Sequence, residues 1–502
     1  MENRAAKTNK YINEIKLCII FFCISNLLFL YYQTTFFIGN HDWDWVKGTT
    51  QVLSLDTGLF EGRYAKFILN VCLYGGQILP ILNNLTAFVL LSFGLVLLTK
   101  YWKIEKGLSG ILIGTLIISS PYIWDWLYFP INIIGNFAAI PLVIGGLIWS
   151  ENKQWYYRLS AIICFLTALG VYPSVAEMMI VCWVIKNLLE KKISKSALGT
   201  IIVSLIFFVL ILKILTYKAI IYTGHYNVQT ADMSELIKRI PDMMILAVSQ
   251  LYMSIPFFPT ELKIIGILII VCAIIKTLQE NCNLRTVILW GIGVGATVLS
   301  AFLAARWEEA AYVARINFYG MNFLYAGGLA LLLNEKTPKI AKNVGLLLGM
   351  LFISIAVKEG FYAQKVWQFG KIAEEKMIER IESRIEVRQT ASTQSRLIPV
   401  VAGEKALRPK YYQETYQKDN PYMLTSSFMV RHIPAGILNF YAVNPIYAGR
   451  SQIGELTEPL YIFLRDAKAP WPTEQGIYVD DTYAIILLTK EGIEAIQAQI
   501  PK

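Results

Sequence analysis

The sequence predicts an all-α polytopic membrane protein, with about eleven transmembrane helices followed by a small α/β domain. Three observations carry that prediction. Hydrophobic residues make up 55% of the 502-residue chain and charged residues only 16%, with a positive mean hydropathy; soluble domains sit nearer a quarter charged. Apolar runs recur from residue 16 to residue 358, and spanning a bilayer takes roughly 20 apolar residues. Beyond residue 358 those runs stop and an amphipathic, charged pattern begins.

The runs fall near 16–38, 77–99, 107–124, 131–149, 158–171, 173–189, 197–215, 260–278, 286–304, 318–334 and 340–358. The N-terminus is basic (Arg4, Lys7, Lys10), but its apolar run is long and lacks a small-residue cleavage site. It therefore reads as a retained first helix, not a signal peptide. The fifth and sixth runs are short and meet at Tyr172-Pro173-Ser174, which leaves a tight hairpin and a broken helix both open. From Phe361 to about Arg388 the spacing predicts an amphipathic helix. "LIPVVAG" and "YAIILLT" read as strands and "KEGIEAIQAQI" as a closing helix. The expected division is a transmembrane part, 1–358, and an extracytoplasmic α/β domain, 359–502. No internal repeat stands out.

The net charge of +10, from 46 basic and 36 acidic residues, does not indicate nucleic acid as a partner. Lys100, Lys103, Lys106, Lys153, Arg158, Lys191, Lys192, Lys195, Lys336, Lys339 and Lys342 sit in short loops between apolar runs. That asymmetry puts those loops and the N-terminus in the cytoplasm and the C-terminal domain outside, with the lipid bilayer as partner. Three longer loops, 39–66, 216–259 and 305–317, then face outward. The seven cysteines lie mostly inside apolar runs with no Cys-x-x-Cys pair, so neither a zinc site nor a disulfide framework is indicated. No phosphate-binding Gly-rich loop and no dinucleotide fingerprint occurs.

Candidate chemistry concentrates in the outward loops. "NHDWDWVKGTT" sets Asp42 and Asp44 between Trp43 and Trp45 just after the first run. Two positions on a helix are roughly 200° of rotation apart, so the carboxylates are not a facing pair. One reading is structural: Asp42 caps a helix, Asp44 lies near its positive end, and the indoles sit at headgroup level. The other is chemical: a carboxylate at the bilayer surface serves as general base toward an incoming hydroxyl. Arg63 and Lys66, in "FEGRYAKFILN", share a helical face suited to a lipid phosphate, although snorkelling explains them equally well. His225 and Tyr226 mark the second outward loop. In the third, "AARWEEAAYVARINFYG" carries Arg306, Glu308, Glu309 and Arg315. Arg315 adjoins the next run and reads as a phosphate clamp or as the partner of Glu308 or Glu309.

"NHDWDW", "EGRYAKF" and "ARINFYG" together resemble the type II glucosyltransferase family, whose best-known members convert the serotype of bacterial O-antigen. The resemblance covers about residues 15–390. It implies the C-type glycosyltransferase fold and transfer of a hexose, glucose in that family, from a polyprenyl-phosphate-linked sugar. The acceptor would be a surface polysaccharide or glycolipid at the outer face of the bacterial cytoplasmic membrane, and transfer usually inverts the sugar. Asp42 or Asp44 would be the base, Arg63, Lys66 and Arg315 the donor phosphate site. Trp43, Trp45, His225, Tyr226, Arg306, Glu308 and Glu309 would line the substrates. Two departures stand out: Trp43 separates two aspartates that the family often has adjacent, and Lys47 stands where an arginine is usual. No cofactor is implied with certainty; the outward carboxylates leave a divalent metal open, but no spacing demands one. A polymerase or ligase using the same lipid-linked sugars, or a transporter of them, is the competing expectation.

Overall fold

The structure, a computed structural model, describes residues 2–31, 79–104, 107–127, 130–223, 260–297, 319–388, 397–403 and 456–499, with isolated residues between them. Twelve helices precede the first strand among the described residues. They are α1 (Glu2–Leu28), α2 (Pro80–Tyr101), α3 (Leu108–Ser119), α4 (Tyr122–Leu127), α5 (Pro130–Ser150) and α6 (Trp155–Val171). After these come α7 (Val175–Glu190), α8 (Lys195–Thr223), α9 (Thr260–Glu280), α10 (Leu284–Ala296), α11 (Met321–Leu332) and α12 (Lys339–Arg388). Four contain a stretch long and apolar enough to cross a membrane: Ile81–Tyr101, Ile133–Ser150, Lys195–Leu215 and Lys339–Lys365. Four further apolar helices, α3, α6, α10 and α11, are shorter.

Local chemistry explains where these helices begin. Pro80 opens α2, where its missing N–H is not needed. Asn283 caps α10, its Oδ1 accepting from Thr286 N at 2.8 Å. Between α6 and α7 the chain reverses as a tight hairpin: α7 returns to the end where α6 began, with Lys186 Nζ 2.6 Å from Glu151 Oε2 in the link before α6. Of the two alternatives at Tyr172-Pro173-Ser174, the reversal is the one observed.

Helix packing relies on small residues, as expected where lipid removes the usual hydrophobic drive between helices. A Cβ at Gly94 of α2 would lie 2.7 Å from Ile140 Cγ2 and 3.0 Å from Pro141 Cδ of α5, so the two backbones meet there. Phe29, just past the end of α1, stacks in series with Phe88 of α2 and Phe137 of α5, with centroids 5.4 and 6.2 Å apart. The exterior is apolar too: Ile202, Ile206, Phe207, Val209 and Leu210 of α8 are exposed. A hydrocarbon-facing surface of that kind on a helix of bilayer length belongs in lipid.

Helix α12 runs without a break from its apolar half into the amphipathic half that the sequence predicts. There it meets a three-stranded sheet of β1 (Ile398–Ala402), β2 (Ile477–Val479) and β3 (Tyr483–Leu487), in the order β1-β3-β2. β1 pairs parallel with β3, Ile398 opposite Tyr483, and β2 pairs antiparallel, Ile477 opposite Ile486. Side chains alternate across β3 with the period of two expected of a strand. Ala484, Ile486 and Leu488 pack with Met377, Ile378, Ile381 and Ile385 of α12. Tyr483, Ile485 and Leu487 pack instead with α13 (Glu458–Asp466) and α14 (Lys490–Gln497). Burial on both faces accounts for the unbroken apolar run of "YAIILL". Arg384 and Arg388 fasten the join, donating to the carbonyls of Pro472, Thr473, Glu474 and Ile477.

Candidate functional site

Asp42, Trp43, Asp44, Trp45, Arg63, Lys66, His225, Tyr226, Arg306, Glu308, Glu309 and Arg315 all lie outside the described residues. The residues that bound two of their segments are described. Segment 32–63 starts after Tyr31, whose N–H donates to Gln364 Oε1 at 3.3 Å, and ends before Tyr64, whose hydroxyl donates to Leu166 O at 2.6 Å. Segment 298–318 starts after Thr297 and ends before Tyr319. A Cβ on Gly320 would be 3.2 Å from Thr297 Cα, so that segment begins and ends at one place.

At that place the helix ends bring together a polar cluster. Asn322 of α11 donates from Nδ2 to Ile117 O of α3 at 3.2 Å. Tyr319 donates from its hydroxyl to Asn136 O of α5 at 2.7 Å. The Trp126 ring of α4 stands edge-on to Tyr172 at 5.0 Å and 85°, and tilted to Tyr319 at 6.0 Å and 53°. Glu177 N donates to Ser174 O at 3.0 Å, and the Glu177 carboxylate lies directly against Gly320. Each of Ser120, Trp126, Asn136, Ser174, Glu177, Tyr319 and Asn322 is at most 1% exposed.

Within this cluster several polar atoms have no hydrogen-bond partner among the described residues: Ser120 Oγ, Trp126 Nε1, Asn136 Oδ1 and Nδ2, Ser174 Oγ and Asn322 Oδ1. Folded proteins leave few such groups, because each costs about 1–3 kcal/mol when buried and unpaired. Ser174 is the clearest case. It stands at the N-cap of α7, where a serine oxygen ordinarily accepts from the helix, but its backbone is already helical (φ −64°, ψ −10°) and it makes no capping bond. Chemically the cluster offers neutral donors and acceptors, and the Glu177 carboxylate, beside three aromatic rings.

The opposite helix ends are ionic. Lys186 Nζ reaches Glu151 at 2.6 Å and Glu190 at 3.9 Å and lies 4.2 Å above the Tyr101 ring. Lys103 pairs with Glu190 at 2.7 Å; that hydrogen bond, then the charge of Glu190, raises the Lys103 pKa above its ordinary value. Lys276 and Lys191 lie 3.0 and 3.1 Å from Glu280. Burial pushes the Glu280 carboxyl up, but hydrogen bonds from Lys276 and Lys191 outweigh it and bring the pKa below the ordinary glutamate range. These pairs join α2, α5, α7 and α9, so Lys103 and Lys191 of the short loops sit at one end and the polar cluster at the other.

Sequence reasoning overlooked the cluster. Glu177 was the available signal, since a carboxylate inside an apolar run is a functional hypothesis by default. Asn136 and Asn322, isolated amides inside runs, were weaker versions of it. Among the described residues no group of three or more His, Cys, Asp or Glu side chains gathers to hold a metal ion.

The arrangement defines a class: a polytopic, mostly helical membrane protein with a small appended three-stranded α/β unit. No protein-family model matches the sequence, and no curated protein does. Among solved structures, the chain is similar to the crystal structure of the Archaeoglobus fulgidus oligosaccharyltransferase in complex with zinc and sulfate. Identity is 13% and the TM-score 0.41, over 77% of this chain and 60% of that one. The chain thus spans less than two thirds of that enzyme's length. Likeness this loose aligns helices without aligning side chains, and it assigns no role to any residue here.

Proposed function

We propose that the protein is a membrane glycosyltransferase that moves a hexose from a polyprenyl-phosphate donor to a surface glycan at the outer face of the bacterial cytoplasmic membrane. The observation that supports this reading is the buried polar cluster. Its aromatic rings and unpaired hydrogen-bonding groups stand where segment 298–318, which bears Arg306, Glu308, Glu309 and Arg315, begins and ends. In the reaction, the acceptor hydroxyl oxygen attacks the anomeric carbon and the bond from that carbon to the phosphate oxygen breaks. Polyprenyl phosphate departs with the electron pair, and Asp42 or Asp44 takes the hydroxyl proton. Arg63, Lys66 and Arg315 balance the phosphate charge through charge-assisted hydrogen bonds. Asp42 is the preferred base, because it comes first after the span and so nearest the bilayer surface.

Transfer from a monophosphate-linked hexose by the purified protein in lipid discs is the direct test. Product length distinguishes single transfer from polymerisation, and movement of the lipid-linked sugar without a new glycosidic bond would mark a transporter. Asp42→Asn keeps shape and capping ability, so loss of about 10²–10⁴ in rate at normal folded yield is expected if it is the base. If Asp42→Asn and Asp44→Asn both transfer at near-normal rates, the carboxylates are structural and the base lies elsewhere.

A further inference from the structure

We infer that the buried cluster of Ser120, Trp126, Asn136, Ser174 and Asn322 is a binding site for the neutral polyhydroxy ring of a sugar. The argument is one of matching hydrogen-bond types. Trp126 Nε1 and Asn136 Nδ2 are donors; Asn322 Oδ1 and Asn136 Oδ1 are acceptors; the two serine hydroxyls are both. The donation from Asn322 Nδ2 to Ile117 O fixes which end of that amide is left over. A phosphate only accepts, so the two amide oxygens would stay unpaired against it. A cation only donates to or coordinates oxygen, and would leave the indole and amide N–H groups unpaired. A hydroxyl both donates and accepts, so of these only a neutral hydroxylated molecule, water included, satisfies every atom of the set. The mutually packed rings of Trp126, Tyr172 and Tyr319 add aromatic surface beside these groups, which a cluster of water molecules would not require.

The inference rests on the glycosyl-transfer reading only for the source of the ring, which is either the donor's sugar or the acceptor's. Ser174→Ala removes an unpaired atom at nearly constant volume, and Asn136→Leu removes two while keeping the branched heavy-atom shape, so the fold should lose little. The full chain in lipid discs is melted with glucose, galactose or mannose, with sorbitol at equal osmolality as the excluded-solute control, and with inorganic phosphate. At least one hexose should raise the wild-type melting temperature above the sorbitol control, and phosphate should not. Both variants should lose that excess yet melt close to wild type without sugar. In the transfer assay each should raise KM about tenfold, the upper end of what one neutral hydrogen bond contributes. The change falls on the donor's KM if the ring is the donor's and on the acceptor's otherwise.

Were Asn136→Leu to fold poorly, Ser174→Ala and Trp126→Phe, which each remove one unpaired group, carry the same comparison. The proposal is overturned if the hexose excess survives in the variants, or if phosphate alone protects. It is equally overturned if the variants melt higher with KM unchanged, since the groups then hold water. A hexose excess that vanishes in the variants, with no transfer by wild type, keeps the site and removes the transferase reading. Transfer that is indifferent to all three variants does the reverse.

Discussion

Gly320→Ala tests whether the polar cluster is held as tightly as its geometry implies. Gly320 sits at φ −83° and ψ −73°, an ordinary right-handed conformation open to alanine, so the backbone imposes no penalty. Left to the unfolded chain alone, the change would stabilise by about 0.4–1 kcal/mol through lost glycine entropy. The new methyl, however, would overlap Glu177 Oε2 and come within 3.1 Å of Glu177 Cδ and 3.2 Å of Thr297 Cα. Glu177 is fully buried and the Thr297 contact is backbone, so neither neighbour yields easily. Overpacking of this kind costs about 1–3 kcal/mol, which exceeds the entropic gain and makes the expected net effect destabilising. Shortening the carboxylate by one methylene should relieve it. Gly320→Ala with Glu177→Asp is therefore expected to be more stable than the sum of the single changes predicts, by a coupling of about 0.5–3 kcal/mol. Thermal unfolding in lipid discs across the four-protein cycle measures this directly. If Gly320→Ala alone is as stable as wild type and shows no coupling to Glu177→Asp, the carboxylate is free to move, and the account of a rigid cluster is wrong.

Three further expectations follow from the rest of the molecule. Lys186→Met strands Glu151 at the ionic end, while Glu190 keeps Lys103; a cost of about 1–3 kcal/mol is expected, below the 3–5 kcal/mol of a fully buried pair because the carboxylate keeps some water. A matched Glu151→Gln change should cut that cost, and additivity in the cycle would contradict the pairing. Because the Glu280 pKa is lowered in the fold, its contribution is present above the unfolded value of about 4.3 and is lost as pH falls through the folded value. Glu280→Gln should accordingly flatten the acid limb of a stability-against-pH curve and leave the neutral region's slope alone; an unchanged acid limb refutes it. Finally, Ile381 is fully buried between α12 and the sheet, so Ile381→Ala should cost about 2–5 kcal/mol. Faster proteolytic release of the C-terminal unit, with the transmembrane part intact, is the readout, and wild-type release rates would show that the helix does not anchor the sheet.

The residues themselves carried many of the helices and several of the described elements of the tail. Runs such as 197–215 are apolar over a full bilayer length, and that property is local, so it survives without knowledge of neighbours. The same holds for "IPVVA" and "YAIIL", short β-branched and apolar runs found as β1 and β3, and for Thr489, whose Oγ accepts from Gly492 N at 3.0 Å to cap α14. Loop charge likewise singled out Lys103 and Lys191, which the fold pairs with Glu190 and Glu280. What periodicity could not convey is which polar residues meet. Ser120, Asn136, Ser174 and Asn322 lie on four separate stretches of chain, and each alone is an unremarkable polar residue near a helix end. Bare backbone at Gly320 lets the start of α11, which carries Asn322, close onto Glu177 three residues after Ser174. Nor could a change of pattern near Phe361 tell whether α12 would stop there. It continues to Arg388 because its second half finds β3 to cover its isoleucines and carbonyls to accept from its arginines. Local sequence sets where helix and strand are favourable, whereas close approach and burial between distant segments set which atoms remain unpaired, and only the folded chain has those.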